Sequence, residues 1–153
     1  MNRRNAILRS AWAIAGALAE AARAAEPPAR IRFSDFYVGA TFQEGVGMTP
    51  ELVLSPRARE LNGKGVEIVG FMDGILPRDG MYFMLIKEPS FLCPFHTVSF
   101  DWAGFVPVFV RKPVAYVDGP ISVRGRFESG KKTDEMGLVS HVRIYDAEVE
   151  PIR

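Results

Sequence analysis

The sequence is poor in the residues that most often carry catalysis or cross-links. Its 153 residues include one cysteine, Cys93, and two histidines, His96 and His141. A single cysteine excludes a disulfide framework within the chain, so packing alone must hold the fold together. There is also no Gly-rich phosphate loop, no H-E-x-x-H and no G-x-S-x-G motif. We therefore expect a protein that is not an enzyme, and we predict no catalytic residues.

Long hydrophobic runs are missing too. Residues 11–19 form an apolar stretch that is too short to span a bilayer, which needs about 20 residues. Three arginines precede this stretch and A-R-A follows it at residues 22–24, which is typical of a secretory signal peptide. The pattern predicts a leader at residues 1–24, cleaved near Ala24, and a periplasmic protein without stable transmembrane insertion. An N-terminal amphipathic helix that stays attached is the alternative.

Neither sign of charge is in excess. The chain has 19 Lys and Arg against 18 Asp and Glu. Residues 1–24 contain four of the arginines and one glutamate, which leaves 15 basic and 17 acidic side chains and a formal charge of −2. A domain with this balance lacks the electrostatic footprint of a polyanion binder. We therefore expect no nucleic acid as a partner.

What the sequence does contain is a series of β-type runs. Ser55, Pro56 and Gly63 fit the N-cap, the first turn and the end of one short helix. Strands are then predicted at 66–72, 81–86, 105–110, 121–127 and 138–145, with turn residues between them. The fold class is mainly β, as a small five-stranded OB-like Greek-key barrel with one short connecting helix. A small β-sandwich is the alternative. Residues 25–54 form an extended arm and loop, and residues 55–153 the barrel domain.

Several positions within these strands give sharper predictions. Gly70 would let the first strand bend, and Pro107 indicates an edge strand or a bulge. The alternation of apolar residues slips near Asp146, which favours a bulge there. Residues 129–137 are interpreted as a charged hairpin loop, and the run of mixed charge at residues 131–135 as part of that loop rather than as an anion site. His141 alternates with the inward residues of the last strand, so we expect it to face solvent.

Residues 61–72 (LNGKGVEIVGFM) resemble the L-x-G-K-x-V-x-I-x-G-F-M opening of a family of small exported bacterial proteins of unknown function. The resemblance runs from about residue 55 to 149 and includes a cysteine and a nearby histidine in the loop after the second strand, here Cys93 and His96. The resemblance implies an OB-like fold and an envelope location, and it brings no activity. The chain departs from the family in having an isolated Pro94 instead of a proline-rich run, and in having no lipidation cysteine in its leader.

Cys93 and His96 are the candidate metal ligands. A thiolate and an imidazole three residues apart can bind one zinc or copper ion. A third ligand would come from a second copy of the chain or from Asp101, His141, Met81 or Met84. The structural alternatives are a buried cysteine and a surface histidine without a role. A redox-active thiol is a further alternative, because a nearby histidine can lower the pKa of a cysteine.

Aromatic residues are concentrated between residues 91 and 109. Core packing explains some of them, and an exposed apolar patch would mark a contact site. Phe95, Trp102 and Phe105 are the candidate partner-binding residues. We predict a non-enzymatic binding or accessory module of the bacterial envelope that recognises another envelope protein through residues 91–105. The alternatives are a periplasmic zinc or copper carrier or sensor, and a redox-active thiol protein; a homodimer is a candidate assembly.

Overall fold

The computed structural model describes residues 27–41, 51–73, 79–89, 102–134 and 137–153. Within them the chain is mainly β with one short α-helix, as predicted. Two short 3-10 helices lie at Phe33–Asp35 and Trp102–Gly104. The longer elements are β1 (Ala29–Ile31), β2 (Tyr37–Thr41), β3 (Glu51–Leu54), α1 (Pro56–Glu60), β4 (Gly65–Met72), β5 (Tyr82–Ile86), β6 (Phe105–Val110), β7 (Pro120–Thr133) and β8 (Val139–Pro151). No helix in this part of the chain is long and apolar enough to cross a membrane.

Six of the strands form one mixed sheet, in the order β1-β4-β5-β6-β8-β7. An additional pairing joins β7 back to β4, so the pairing of β4, β5, β6, β8 and β7 returns to its starting strand. The pairs β1–β4 and β6–β8 are parallel. The other pairs in this sheet are antiparallel. β2 and β3 form a separate antiparallel hairpin.

The short helix begins at the predicted residue and ends at Glu60, three residues before Gly63. The Ser55 hydroxyl accepts a hydrogen bond from the backbone N–H of Ala58 at 2.9 Å, and Pro56 occupies the first turn. Gly63, just after the helix, has a φ of 79°, which glycine adopts without the steric cost that a Cβ would add. The Ser55 hydroxyl also donates to the backbone carbonyl of Asp35. The start of the helix is therefore tied to the segment between β1 and β2.

The core lies between the inward faces of the strands and the segment that follows β1. Alternate residues of β4, Val66 and Ile68, are almost fully buried. Phe36 is buried as well, and its ring stacks on Phe127 of β7 with centroids 5.5 Å apart. Gly70 lies where β4 meets β5, and a Cβ added there would be 2.7 Å from the Ile86 carbonyl oxygen. A side chain at this position would push the two strands apart.

Of the two alternatives predicted at Pro107, the edge strand is wrong, whereas a register irregularity does lie close to the proline, between Val108 and Val110. β6 lies between β5 and β8, and Pro107 is opposite Met84 of β5. Pairing with β8 begins only at Val108, and its register shifts before Val110. The proline is therefore tolerated in an inner strand because the ladder with β8 starts after it and is irregular there.

The prediction that His141 faces solvent is also wrong. His141 is only 7% exposed, and its neighbour Arg143 is 3% exposed. The Tyr37 ring of β2 meets the His141 ring edge-on at 6.4 Å, so the β2–β3 hairpin covers this face of β8. The alternation of residues along one strand does not predict that a hairpin from a distant part of the chain will cover its outward face.

Of the two predictions for β7 and β8, one is confirmed and the other is partly wrong. The bulge near Asp146 is confirmed, because this residue has a φ of 54° and the register shifts beside it. The loop predicted at residues 129–137 is too long, since β7 continues to Thr133. A second register shift lies between Ser129 and Lys132. β7 thus extends as an arm beyond the part that pairs with β4.

Candidate binding surface

Most of the site residues predicted from the sequence lie outside the residues that the structure describes. Cys93, Phe95 and His96 lie outside the described residues, so the metal site and the redox thiol stay predictions. Trp102 opens the second 3-10 helix. Phe105 begins β6 and is 6% exposed, packed with Met84 and other apolar residues of the outer face. Among the described residues there is no group of three or more His, Cys, Asp and Glu that could hold a metal ion.

The described surface instead brings together three half-buried rings, here called the aromatic row: Tyr82 of β5, Phe109 of β6 and Tyr145 of β8. β5, β6 and β8 are consecutive neighbours in the sheet, and Tyr82 is directly opposite Phe109. The rings point outward because the alternate residues of the same strands fill the core. The row therefore crosses three strands on the outer face of the sheet.

The rings of the row contact each other in sequence. Tyr82 and Phe109 have centroids 5.2 Å apart, and Phe109 and Tyr145 stack at 4.8 Å with an angle of 13° between planes. Such pairs contribute about 0.5–1.5 kcal/mol beyond the area that they bury. Burial raises the pKa of Tyr82 to about 12, so its hydroxyl stays protonated at neutral pH. The row is a fixed apolar ridge with polar hydroxyls at its two ends.

Two cations meet the Tyr145 end of the row. The Arg126 guanidinium carbon lies 5.2 Å from the centre of the Tyr145 ring, and Lys132 Nζ lies 5.3 Å from it. Lys132 Nζ also donates a hydrogen bond to Tyr145 Oη at 2.9 Å. The Arg126 distance falls within the range of cation–π attraction, and Lys132 contacts the ring through its hydroxyl group. The aromatic surface thus continues without a gap into a basic one.

That basic surface is a groove of about 540 Å³ between the turn after α1 and the outer part of β7. We call it the basic groove. Four cationic side chains and one carboxylate, Glu128, contribute to its lining; the cations are Arg126, Lys131, Lys132 and Arg143. On the opposite side, the Asn62 side-chain oxygen accepts a hydrogen bond from the Ser129 N–H at 2.9 Å. The groove therefore has a strong positive bias within a nearly neutral chain.

The floor of the groove is a fixed hydrogen-bond network around Arg143. Its guanidinium donates to Glu128 Oε1 at 2.7 Å, to the Gly130 carbonyl at 2.6 Å and to Ser140 Oγ at 2.9 Å. The hydrogen bond from Arg143 lowers the pKa of Glu128, against the opposing effect of partial burial. Glu128 is therefore ionised at neutral pH, and Arg143 is held in place by acceptors on three residues, Glu128, Gly130 and Ser140.

A second and larger groove of about 930 Å³ lies between β1 and the outer faces of β4 and β7. Its centre is Glu67, which accepts hydrogen bonds from Ser122 at 2.9 Å and from Arg124 at 3.0 Å. Those two bonds lower the pKa of Glu67, and Arg30 forms a further ion pair with it at 3.4 Å. In this Glu67 groove the charges pair with each other, so it offers less to a charged ligand than the basic groove does.

Sequence reasoning missed the aromatic row and the basic groove. Each ring of the row occupies an outward position of an alternating strand, which is visible in the sequence. The pairing of β6 with β8 is what brings Phe109 to Tyr145, and local patterns do not determine strand order. The bulge between Ser129 and Lys132, where the regular pairing of β7 with β8 is interrupted, lies within the segment that the sequence predicts as a loop.

Comparison with known proteins gives a likeness of fold. No family model matches the chain, and no curated protein matches it. Among solved structures the chain is similar to a DUF3299 family protein from Pseudomonas aeruginosa PAO1, with 18% identity and a TM-score of 0.58 over 84% of this chain and 98% of that one. This neighbour belongs to an uncharacterised family, which is consistent with the resemblance to an uncharacterised family, while the opening motif stays a prediction. The chain therefore shares its overall fold with a protein of uncharacterised function.

Proposed function

We propose that the chain is an exported, non-enzymatic binding or accessory module of the bacterial envelope, which recognises another envelope protein through its outer aromatic face. The observation that carries this proposal is the aromatic row, three rings in mutual contact on the outer face of adjacent strands. Apolar surface that is fixed, partly exposed and bordered by charge is typical of protein contact sites.

The proposal includes an OB-like Greek-key barrel. The cyclic pairing of β4, β5, β6, β8 and β7 supports it, because five strands that return to the first one leave no open edge among themselves. OB-folds bind their ligands on the face of the second and third strands. In this ring those strands are β5 and β6, which carry Tyr82 and Phe109. In an OB-like barrel, the proposed contact face would therefore coincide with the usual ligand-binding face.

The packing of the rings favours a protein over a flat small molecule. Phe109 and Tyr145 already cover one face of each other, with centroids 4.8 Å apart. A planar ligand could enter between them only by breaking that stack. What the row offers is a ridge of ring edges against which side chains of a partner can pack.

Site-specific photo-crosslinking tests this proposal. A benzophenone amino acid is placed at Phe109 or at Tyr145 in the cells that naturally produce the chain, and Val69 serves as the control position. Val69 is apolar and 52% exposed, and it lies on β4 beside the Glu67 groove. We expect one envelope protein to be cross-linked from both row positions and not from the control. Equal products at all three positions, or no product from the row, would contradict the proposal.

A further inference from the structure

We propose that the basic groove binds an acidic segment of the protein partner, with the carboxylates in the groove and the apolar side chains of the same segment along the aromatic row. This inference rests on the proposed function and adds the chemistry of the partner. It starts from a local irregularity of β7. Ser129 pairs with Val142 and Lys132 pairs with Ser140, so Gly130 and Lys131 together face one residue of β8.

This β-bulge interrupts the regular alternation of the strand at the two lysines. In a regular strand consecutive side chains lie on opposite faces of the sheet. Lys131 and Lys132 are consecutive, yet both line the basic groove. A bulge re-aims side chains in this way, and bulges are over-represented beside functional sites. Gly130 has a φ of 127°, a conformation that glycine adopts far more readily than other residues. The sequence Gly-Lys-Lys at the bulge therefore concentrates two exposed cations in one groove.

The positive charge of the groove is only partly compensated. Arg126, Lys132 and Arg143 all lie within 4.0 Å of the single carboxylate, Glu128. Asp146, beside the groove, forms one further ion pair with Arg126 at 3.4 Å. Two carboxylates thus face four cations, and the excess of two positive charges is confined to this part of a chain that otherwise has no excess of basic residues. An anionic ligand would relieve the repulsion among these cations.

The roles of the four cations differ. Arg143 is buried and bound by acceptors on three residues, so it holds the groove in shape. Lys131 and Lys132 are exposed, and Lys132 reaches both Glu128 at 3.9 Å and Tyr145. The two lysines are the groups that can turn toward a carboxylate from outside. The contact of Lys132 with Tyr145 makes the groove continuous with the row, which is why one peptide segment can use both.

The test is binding of labelled peptides to the purified chain, measured by fluorescence anisotropy. The probe is a fluorescein-labelled octapeptide of alternating Glu and Leu, and its counterpart has Gln in place of each Glu. We expect the acidic peptide to bind and the neutral one to bind at least about tenfold more weakly, with the difference lost in high salt, where the Debye length falls to about 3 Å. The double variant Lys131→Gln/Lys132→Gln should weaken binding of the acidic peptide about tenfold.

The matched control is Lys87→Gln/Lys112→Gln, which removes the same charge from exposed lysines outside the basic groove and should leave binding unchanged. The inference is overturned if the control loses as much affinity as the groove variant, or if both peptides bind equally. It is also overturned if the two groove lysines contribute to the binding of vesicles containing phosphatidylglycerol or of oligo(dT) but not to the binding of the acidic peptide. If Phe109 still cross-links its partner while the acidic peptide fails to bind, only the inference about the groove falls and the proposed function stands.

Discussion

Replacing Arg143 with methionine should destabilise the fold more than any exposed arginine would. Arg143 Nε and its terminal nitrogens donate to a carboxylate, a backbone carbonyl and a hydroxyl, and only 4% of the side chain is exposed. Methionine has a similar length and fills the space without donating a hydrogen bond. The substitution therefore removes the donors and leaves Glu128, the Gly130 carbonyl and Ser140 to find other partners.

The size of the loss follows from those three acceptors. Removing one member of a buried ion pair costs about 3–5 kcal/mol, but Glu128 is 32% exposed and regains part of its solvation from water. Hydrogen bonds to charged groups contribute about 1.5–3 kcal/mol each, and methionine recovers some of this through packing. We expect the free energy of unfolding to fall by about 2–4 kcal/mol. Arg111→Met is the matched control, because Arg111 and Glu148 form an exposed pair at 3.1 Å worth about 0–1 kcal/mol.

Urea denaturation followed by tryptophan fluorescence or circular dichroism would measure both variants. The reasoning about the buried network is refuted if Arg143→Met loses no more stability than Arg111→Met. The pH dependence gives a second check. The pKa of Glu128 is lowered in the folded state from its ordinary value of 4.5, so its contribution is present above that pH and is lost as the pH falls through the lower, folded-state value. In Arg143→Met this part of the acid destabilisation should be smaller than in the unaltered chain.

Three further predictions concern other parts of the molecule. Gly125→Ala would place a Cβ 2.7 Å from the Tyr145 carbonyl oxygen, and we expect a loss of about 1–3 kcal/mol in thermal or urea unfolding; unchanged stability would contradict this close approach. Ser55→Ala removes the N-cap of α1 and the donor to the Asp35 carbonyl and should cost about 1–3 kcal/mol by the same measurement, whereas Ser55→Thr, which keeps a hydroxyl, should retain most of the stability. Elemental mass spectrometry should find equal zinc and copper in the unaltered chain and in Cys93→Ala; near-stoichiometric metal that the variant loses would favour the metal carrier instead.

Elements defined by local chemistry were predictable from the sequence. The helix at Pro56 follows from Ser55 and Gly63, and the β4 strand follows from the alternation around Ile68, because these signals act over a few residues. The edge strand predicted at Pro107 is wrong because the tolerance of a proline in a sheet depends on which neighbouring strands pair with it. That pairing is a property of the whole fold, and no window of sequence around the proline contains it.

The same distinction explains the candidate site. Aromatic residues were expected to form a contact surface, and the row uses Phe109, which lies within the aromatic stretch that the sequence displays. Its other two members, Tyr82 and Tyr145, come from strands far away in sequence. His141 was assigned to solvent because the β2–β3 hairpin that covers it comes from residues about 90 positions earlier. Tertiary contacts over such separations decide which outward side chain is buried.

The return of the strand pairing from β7 to β4 also bears on how quickly the chain can fold. Gly65 pairs with Arg126, 61 positions later, so this ladder forms only after a long loop has closed. Chains dominated by such distant contacts fold slowly compared with helical ones. For a chain that we propose to be exported, slow closure prolongs the time during which it remains unfolded and able to pass through a translocation channel. The pairing that completes the sheet would then also delay folding until the chain has left the cytoplasm.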